Sequence, residues 1–309
     1  MTGTRRETEM DTKDLWVLDG GMGRELARRG APFRQPEWSA LALMEAPETV
    51  REVHQAYVAS GARVITTNSY ALVPFHIGDE RFAEDGERLA TLAGQLARDV
   101  ADGQAGAVQV AGSLPPLFGS YRADLFEADR VSELATPLIR GLSPHVDIWL
   151  AETMSLIAEP LALKALLPGD GKPFWVSFTL EDEAPGSEPT LRSGERVADA
   201  VAALASAGVS AILFNCCQPE VIEGALKVAS ARLQALGRTD IRLGAYANAF
   251  PPQPKEATAN DGLDEIRADL GPQDYLGWAE RWRGAGASLI GGCCGIGPEH
   301  IQALASRLR

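Results

Sequence analysis

The chain has 309 residues, 45% of them hydrophobic and 23% charged, with a formal net charge of -13. This is ample material for a globular core, and an acidic chain without a basic run argues against a nucleic-acid partner, whose phosphates would need neutralising. No stretch reaches the roughly 18–20 uninterrupted apolar residues of a membrane helix, and the charged N-terminus lacks the apolar centre of a secretion signal, so the cytoplasm is the expected location.

Residues 1–14 read as a charged tail, expected to be disordered, ahead of one domain spanning 15–309. Apolar runs of strand length fall at 15–22, 62–70, 107–114, 147–154, 173–180, 210–217, 241–248 and 287–294. Most are near-continuous, as expected for parallel strands covered on both faces. Apolar residues at helical spacing mark 48–59, 87–101, 195–207, 220–236, 273–283 and 298–308. Pro298 followed by Glu299 suits the first turn of the last helix. Eight strands, most followed by a helix, favour a single-domain α/β fold of the (β/α)8 TIM-barrel type. An open doubly wound sheet would carry the same periodicity, which does not report closure. The connections at 181–194 and 250–272 are rich in Pro, Gly and acidic residues and read as surface loops. In a barrel both lie on the catalytic face, where they either cover a substrate or are decoration.

A barrel places its chemistry at the C-terminal ends of the strands, and polar residues do collect there. In chain order they include Asp19, Thr66-Thr67, Ser113, Glu152-Thr153, Ser177, Asn215-Cys216-Cys217, Tyr246 and Cys293-Cys294. Asp19 and Glu152 each follow an apolar run, where a carboxylate is costly unless paired or solvated. As N-caps or surface ion pairs they would be unremarkable. At one barrel mouth they suit a cationic amino group. The glycines after Asp19 lack the spacing of a dinucleotide loop. His54, His76, His145 and His300 lack metal-ligand spacing and read as structural, and no serine-hydrolase elbow is present.

All four cysteines lie in two adjacent pairs closing the sixth and eighth apolar runs. In an intracellular protein such clustering favours a soft metal or a redox centre over structural disulfides. Strands six and eight flank strand seven, so Cys216 can approach Cys293 and Cys294. The latter two share a metal only where the strand breaks its pleat, which Gly291, Gly292 and Gly295 permit. Three thiolates favour zinc (Zn2+), tetrahedral with one position open to an exchangeable ligand. A buried set of free thiols, a vicinal disulfide and a closed structural zinc site remain as alternatives.

Taken together, these segments resemble the zinc-dependent homocysteine S-methyltransferases. The likeness is carried by Leu18-Asp-Gly-Gly-Met-Gly23, Thr67-Asn-Ser-Tyr70, Ala111-Gly-Ser113, Ala151-Glu-Thr153, Ser177-Phe-Thr179, Phe214-Asn-Cys216, Tyr246-Ala-Asn248 and Gly291-Gly-Cys-Cys-Gly295. These occur in the family's order across nearly the whole chain. The resemblance implies Cys216, Cys293 and Cys294 as zinc ligands. It implies Asp19 and Glu152 as binders of the homocysteine amino group, with Thr67 and Ser177 lining the site. Cys217 departs from the pattern and is left out of the metal set. Arg24 stands where a small polar residue is common. The implied reaction is attack of a zinc-activated thiolate on the methyl group of an onium donor, S-methylmethionine or S-adenosylmethionine preferred, to give methionine. The acceptor is homocysteine or a similar small thiol or selenol. A thiol-disulfide redox protein and a non-catalytic zinc-binding protein are the competing readings.

Overall fold

The computed structural model describes residues 14–254 and 265–308. The tail expected at 1–14 therefore lies outside the described residues except for Asp14, as does the middle of the 250–272 connection.

One parallel sheet contains β1 (Trp16–Val17), β2 (Val64–Thr66), β3 (Gln109–Leu114), β4 (Ile148–Met154), β5 (Phe174–Phe178), β6 (Ala211–Asn215), β7 (Arg242–Tyr246) and β8 (Ala287–Ile290), in the spatial order 1-8-7-6-5-4-3-2. Its two edges meet. Leu18 bridges Val64 in parallel, and the Arg63 N–H donates to the Val17 carbonyl at 2.7 Å. The sheet is a (β/α)8 barrel, and the open-sheet alternative falls.

Every expected strand is present but shorter, mainly because the polar C-terminal ends leave the ladder. The anticipated helices correspond to α3 (Pro47–Ala59), α5 (Asp79–Asp102), α8 (Val197–Ala207), α9 (Pro219–Ala235), α10 (Pro272–Gly284) and α11 (Pro298–Leu308). Five more were not anticipated: α1 (Met22–Arg28), α2 (Ser39–Glu45), α4 (Pro74–Ile77), α6 (Val131–Leu142) and α7 (Ala158–Leu166). Most are too short for a clear helical period, and α6 carries Pro137 inside it. Tertiary packing holds them where propensity is weak.

Strand residues alternate between two cores, as a period of two requires. Trp16, Leu18, Val64, Ala111, Ile148, Leu150, Trp175, Ala211, Leu213 and Leu289 fill the barrel lumen. Their odd-step neighbours, such as Val17, Ile65, Trp149, Val176, Ile212 and Ile290, pack outward against the helices. Continuing the inward parity toward the C-terminal ends reaches Ser113, Glu152, Ser177, Asn215 and Tyr246. The lumen thus changes from an apolar plug to a polar layer within one or two residues of each strand.

The connection at 181–194 is not the simple surface loop expected. Leu180 bridges Leu191 and Thr190 bridges Arg196, both antiparallel. Arg192 and Asp182 form a buried ion pair at 2.8 Å. Asp182 also accepts the backbone N–H groups of Gln218 and Gln253, while Arg192 donates to the Gln253 and Pro254 carbonyls. Three neighbouring loops are tied together by this one pair.

Candidate functional site

A cavity of about 400 Å³ opens at the C-terminal end of the barrel, lined by Asp19, Thr67, Glu152, Cys216, Cys293 and Cys294 among others. The sulfurs of these three cysteines lie within 4.8 Å of one another. Cys293 and Cys294 Sγ are 4.0 Å apart. The Cys216 and Cys293 sulfurs are in direct contact, with Cα atoms 5.9 Å apart.

Local backbone conformation brings the thiols together. Asn215 faces the lumen, so a regular continuation of β6 would turn Cys216 outward. Cys216 instead has φ 48°, a left-handed conformation uncommon for a residue with a side chain, and its sulfur joins the cavity. On the other side β8 ends at Ile290, and Cys293-Cys294 sit in a turn closed by the Ile296 N–H on the Cys293 carbonyl at 3.1 Å. Gly295 supplies the φ of +83° that this turn uses. The strand does break its pleat where the paired cysteines require it. Cys293 N–H donates to the Ala247 carbonyl and Ala249 N–H to the Cys294 carbonyl, both at 2.8 Å. With the Asn248 N–H donating to the Cys217 carbonyl at 3.2 Å, both cysteine loops are stitched to the loop after β7.

Cys217 goes elsewhere. It is wholly buried in the shell between barrel and helices, where burial raises its thiol pKa strongly.

The two carboxylates line the same cavity and are nearly buried, Asp19 at 7% and Glu152 at 9% exposure. Asp19 accepts the Thr66 N–H at 2.7 Å and its hydroxyl at 3.1 Å. Glu152 accepts the Ser113 hydroxyl and, at 3.4 Å, the Tyr246 hydroxyl. Burial pushes both carboxyls up to about 7, and the Glu152 charge adds to the rise at Asp19. Two acids held in this way attract a cation that would replace the lost solvation.

Thr67 lines the cavity while accepting the Ser113 N–H at 3.0 Å. Ser177 does not line it. It is fully buried, and its hydroxyl donates to Asn215 Oδ1 at 2.7 Å. The same Asn215 accepts the Thr153 N–H at 3.1 Å and donates to the Thr153 hydroxyl at 2.8 Å. Thr153, with φ 60°, follows Glu152, and Asn215 precedes Cys216. One amide therefore braces the backbone beside a carboxylate and beside a thiol. The sequence placed Asn215 and Tyr246 at strand ends without assigning them a role; counting inward parity from Leu150 or Leu213 would have singled out the layer. Phe33, Trp38, His76 and Phe250 also line the cavity, and nothing in their spacing marked them.

The donor set fits zinc. Around a tetrahedral ion with bonds of about 2.3 Å, sulfurs stand about 3.8 Å apart, close to the Cys293–Cys294 separation. Cys216, Cys293 and Cys294 would hold such an ion once the Cys216 and Cys293 sulfurs, in contact here, move apart, and three protein ligands would leave a fourth position to an exchangeable one.

A model of the family described as homocysteine S-methyltransferase matches residues 16–308. The homocysteine S-methyltransferase of Escherichia coli (strain K12) is 33% identical over 96% of this chain and 96% of its own length. A selenocysteine Se-methyltransferase of Brassica oleracea var. italica is 28% identical, covering 99% of this chain and 94% of its own. Among solved structures, the metallated form of the E. coli homocysteine methyltransferase MmuM superposes with a TM-score of 0.76 at 31% identity, covering 96% of this chain and 97% of that one. Matched along its whole barrel, the chain belongs to the homocysteine S-methyltransferase family.

Proposed function

We propose that the protein transfers a methyl group from an onium donor, S-methylmethionine or S-adenosylmethionine, to the sulfur of homocysteine or a similar small thiol or selenol. The observation that carries this reading is the convergence of Cys216, Cys293 and Cys294 in one cavity with Asp19 and Glu152. Zinc held by the three cysteines would supply a Lewis acid that favours the thiolate of an incoming thiol near neutral pH.

The remaining work falls to side chains of this chain. Asp19 and Glu152, ionised, hold the acceptor's ammonium group, with Thr66, Ser113 and Tyr246 fixing the carboxylates. That fixes the distance from amino group to sulfur and turns a bimolecular encounter into an oriented one. The aromatic rings of Phe33 and Trp38, which line the cavity, suit a cationic donor. The acceptor sulfur, having lost its proton, forms a bond to the methyl carbon. The bond from that carbon to the donor's onium atom breaks, and its electron pair stays on the donor. The donor's positive charge disappears in the step, so the leaving group needs no acid. Thiolate chemistry also suits a reducing cytoplasm.

The test is methionine formation by the reduced, zinc-loaded protein from homocysteine and a panel of S-methylmethionine, S-adenosylmethionine and betaine. Methionine from one of the first two is expected. Bound zinc with no methyl transfer to any thiol would leave a non-catalytic metal protein. The gathering of all four cysteines in two adjacent pairs carries a second reading, thiol–disulfide exchange. It predicts reversible oxidation with little metal, whereas the first predicts about one zinc per chain, lost on Cys216→Ala, Cys293→Ala or Cys294→Ala.

A further inference from the structure

We propose that the ring of Tyr121 is part of the wall against which the methyl donor's cation rests, and that the buried Arg192–Asp182 pair positions that ring; this deepens the methyltransferase reading above and rests on it. Tyr121 lines the cavity from the connection after β3. Its backbone is left-handed, with φ 69°. That conformation costs a residue with a side chain about 1–3 kcal/mol and persists only where the surroundings enforce it. Arg192 is part of those surroundings, its central guanidinium carbon 4.8 Å from the centre of the Tyr121 ring.

Arg192 comes from the connection after β5 and is held in turn. Its side chain is 2% exposed and that of Asp182 0%, and the two meet at 2.8 Å. Together they grip the backbone of Gln253 from both sides. Asp182 accepts the Gln253 N–H at 3.2 Å, while Arg192 donates to the Gln253 carbonyl at 3.1 Å. Arg192 also donates to the Pro254 carbonyl at 3.3 Å. Gln253 and Pro254 line the cavity along with Tyr121. A buried ion pair adds little stability over apolar side chains of the same volume. What it supplies here is direction: a flat cation stacks on one cavity residue and hydrogen-bonds two others.

Height and charge assign this wall to the donor. The acceptor, with its amino group on Asp19 and Glu152 and its sulfur at the cysteines, occupies the floor of the cavity. Tyr121, Gln253 and Pro254 belong to connections that run on past β3 and β7, which end at Leu114 and Tyr246. They form the outer wall, where an onium group meets an aromatic ring. A bare guanidinium behind that ring would repel the donor, and the Asp182 carboxylate cancels its charge. The pair thus orients the ring without placing a net charge behind it.

Calorimetric titration of the zinc-loaded protein with S-methylmethionine and with S-adenosylmethionine reads donor affinity without turnover. Tyr121→Leu should weaken the better-bound compound about tenfold, the scale of a desolvated cation–ring contact. Tyr121→Phe should bind it as wild type does. Arg192→Met should weaken it about threefold or more, with homocysteine affinity and zinc content unchanged. Because Arg192 acts through the ring, the double variant should lose less than the product of the two single losses. The proposal is overturned by additive losses, by an equal loss of homocysteine affinity, or by unchanged donor affinity in folded Tyr121→Leu or Arg192→Met. Weakened binding by Tyr121→Phe, or a wild type that binds neither sulfonium compound, would also overturn it. Melting curves report folding. Should Arg192→Met not fold, Arg192→Lys, which keeps a partner for Asp182 but has no flat face, takes its place in the cycle. A wild type that passes these tests yet methylates no thiol would sink the transferase reading and leave the sulfonium-binding wall standing. Methyl transfer by a wild type whose variants show additive losses would do the reverse.

Discussion

At the N-terminal end of the barrel, Trp16 lies between two guanidinium groups, Arg63 at 5.3 Å and Arg242 at 4.9 Å from its ring. Arg242 also donates to the Asp14 and Ser288 carbonyls at 2.7 and 2.9 Å. At the C-terminal end, two buried carboxylates are pushed up to about 7, and Thr153 and Cys216 take left-handed backbone conformations. The lower end meets its guanidinium groups with an aromatic ring and with carbonyls of its own chain, although Arg242 Nη1 is buried without a hydrogen-bond partner and burial lowers the Arg242 pKa to about 10. The upper end keeps acids and thiols whose best partners are not protein atoms. Stability is concentrated below and chemistry above, the division that a barrel of parallel strands allows.

The sharpest way to break this contrast is Glu152→Gln. It should lower kcat/KM for homocysteine about 10²–10³-fold, in line with the 2–5 kcal/mol of a buried charge pair. The ligand-free variant should melt higher than wild type above neutral pH, because a desolvated charge is gone. A lower melting temperature would show that the upper end contributes stability as the lower end does.

Trp16→Ala probes the other side. Removing this ring should cost about 3–5 kcal/mol, read as a fall in melting temperature of about 2–4 °C per kcal/mol. Turnover per folded molecule should not change. A fall in kcat with an intact melting curve would deny the separation.

The pH dependence sharpens the same division. Asp19 and Glu152 bind ammonium as carboxylates, so homocysteine KM should rise by up to about tenfold per unit for each group as pH falls below about 7. Stability of the ligand-free protein runs the opposite way. Both groups bind protons more tightly folded than unfolded, so their contribution is fully present below about 4 and is lost as pH rises through about 7. Thermal melts and initial rates across that window check both signs. The smallest effect belongs to Cys217→Ala, which should cost about 1 kcal/mol and leave the zinc content unchanged.

Much of the fold was legible because burial on both faces writes itself into continuous apolar runs, and all eight strands fall within the expected ones. Helices α1, α2, α4, α6 and α7 were not, since short segments owe their conformation to what they pack against. Within the site, Asp19, Glu152, Thr67, Cys216, Cys293 and Cys294 were named from polar residues ending apolar runs and from likeness to a family, and they do share one cavity. Ser177 was named with them, yet it lies beneath the lining and binds Asn215. Position along a strand indicates height in the barrel, but hydrogen bonding decides which hydroxyls stay available. Arg24 was noticed as a departure from the family, but its stacking on Phe250 joins residues far apart in the chain.

From its order of residues alone, this protein is determined to be a strand–helix alternation with thiols and acids at one end of the strands. Local periodicity and residue chemistry suffice for that. Only the tertiary structure decided that the sheet closes, through Leu18 and Val64. It also decided that Cys216 turns inward while Cys217 turns out, and that Arg192 stacks on Tyr121 at the same cavity. Each of these depends on a backbone angle or a contact between distant segments, and a linear pattern carries no record of either.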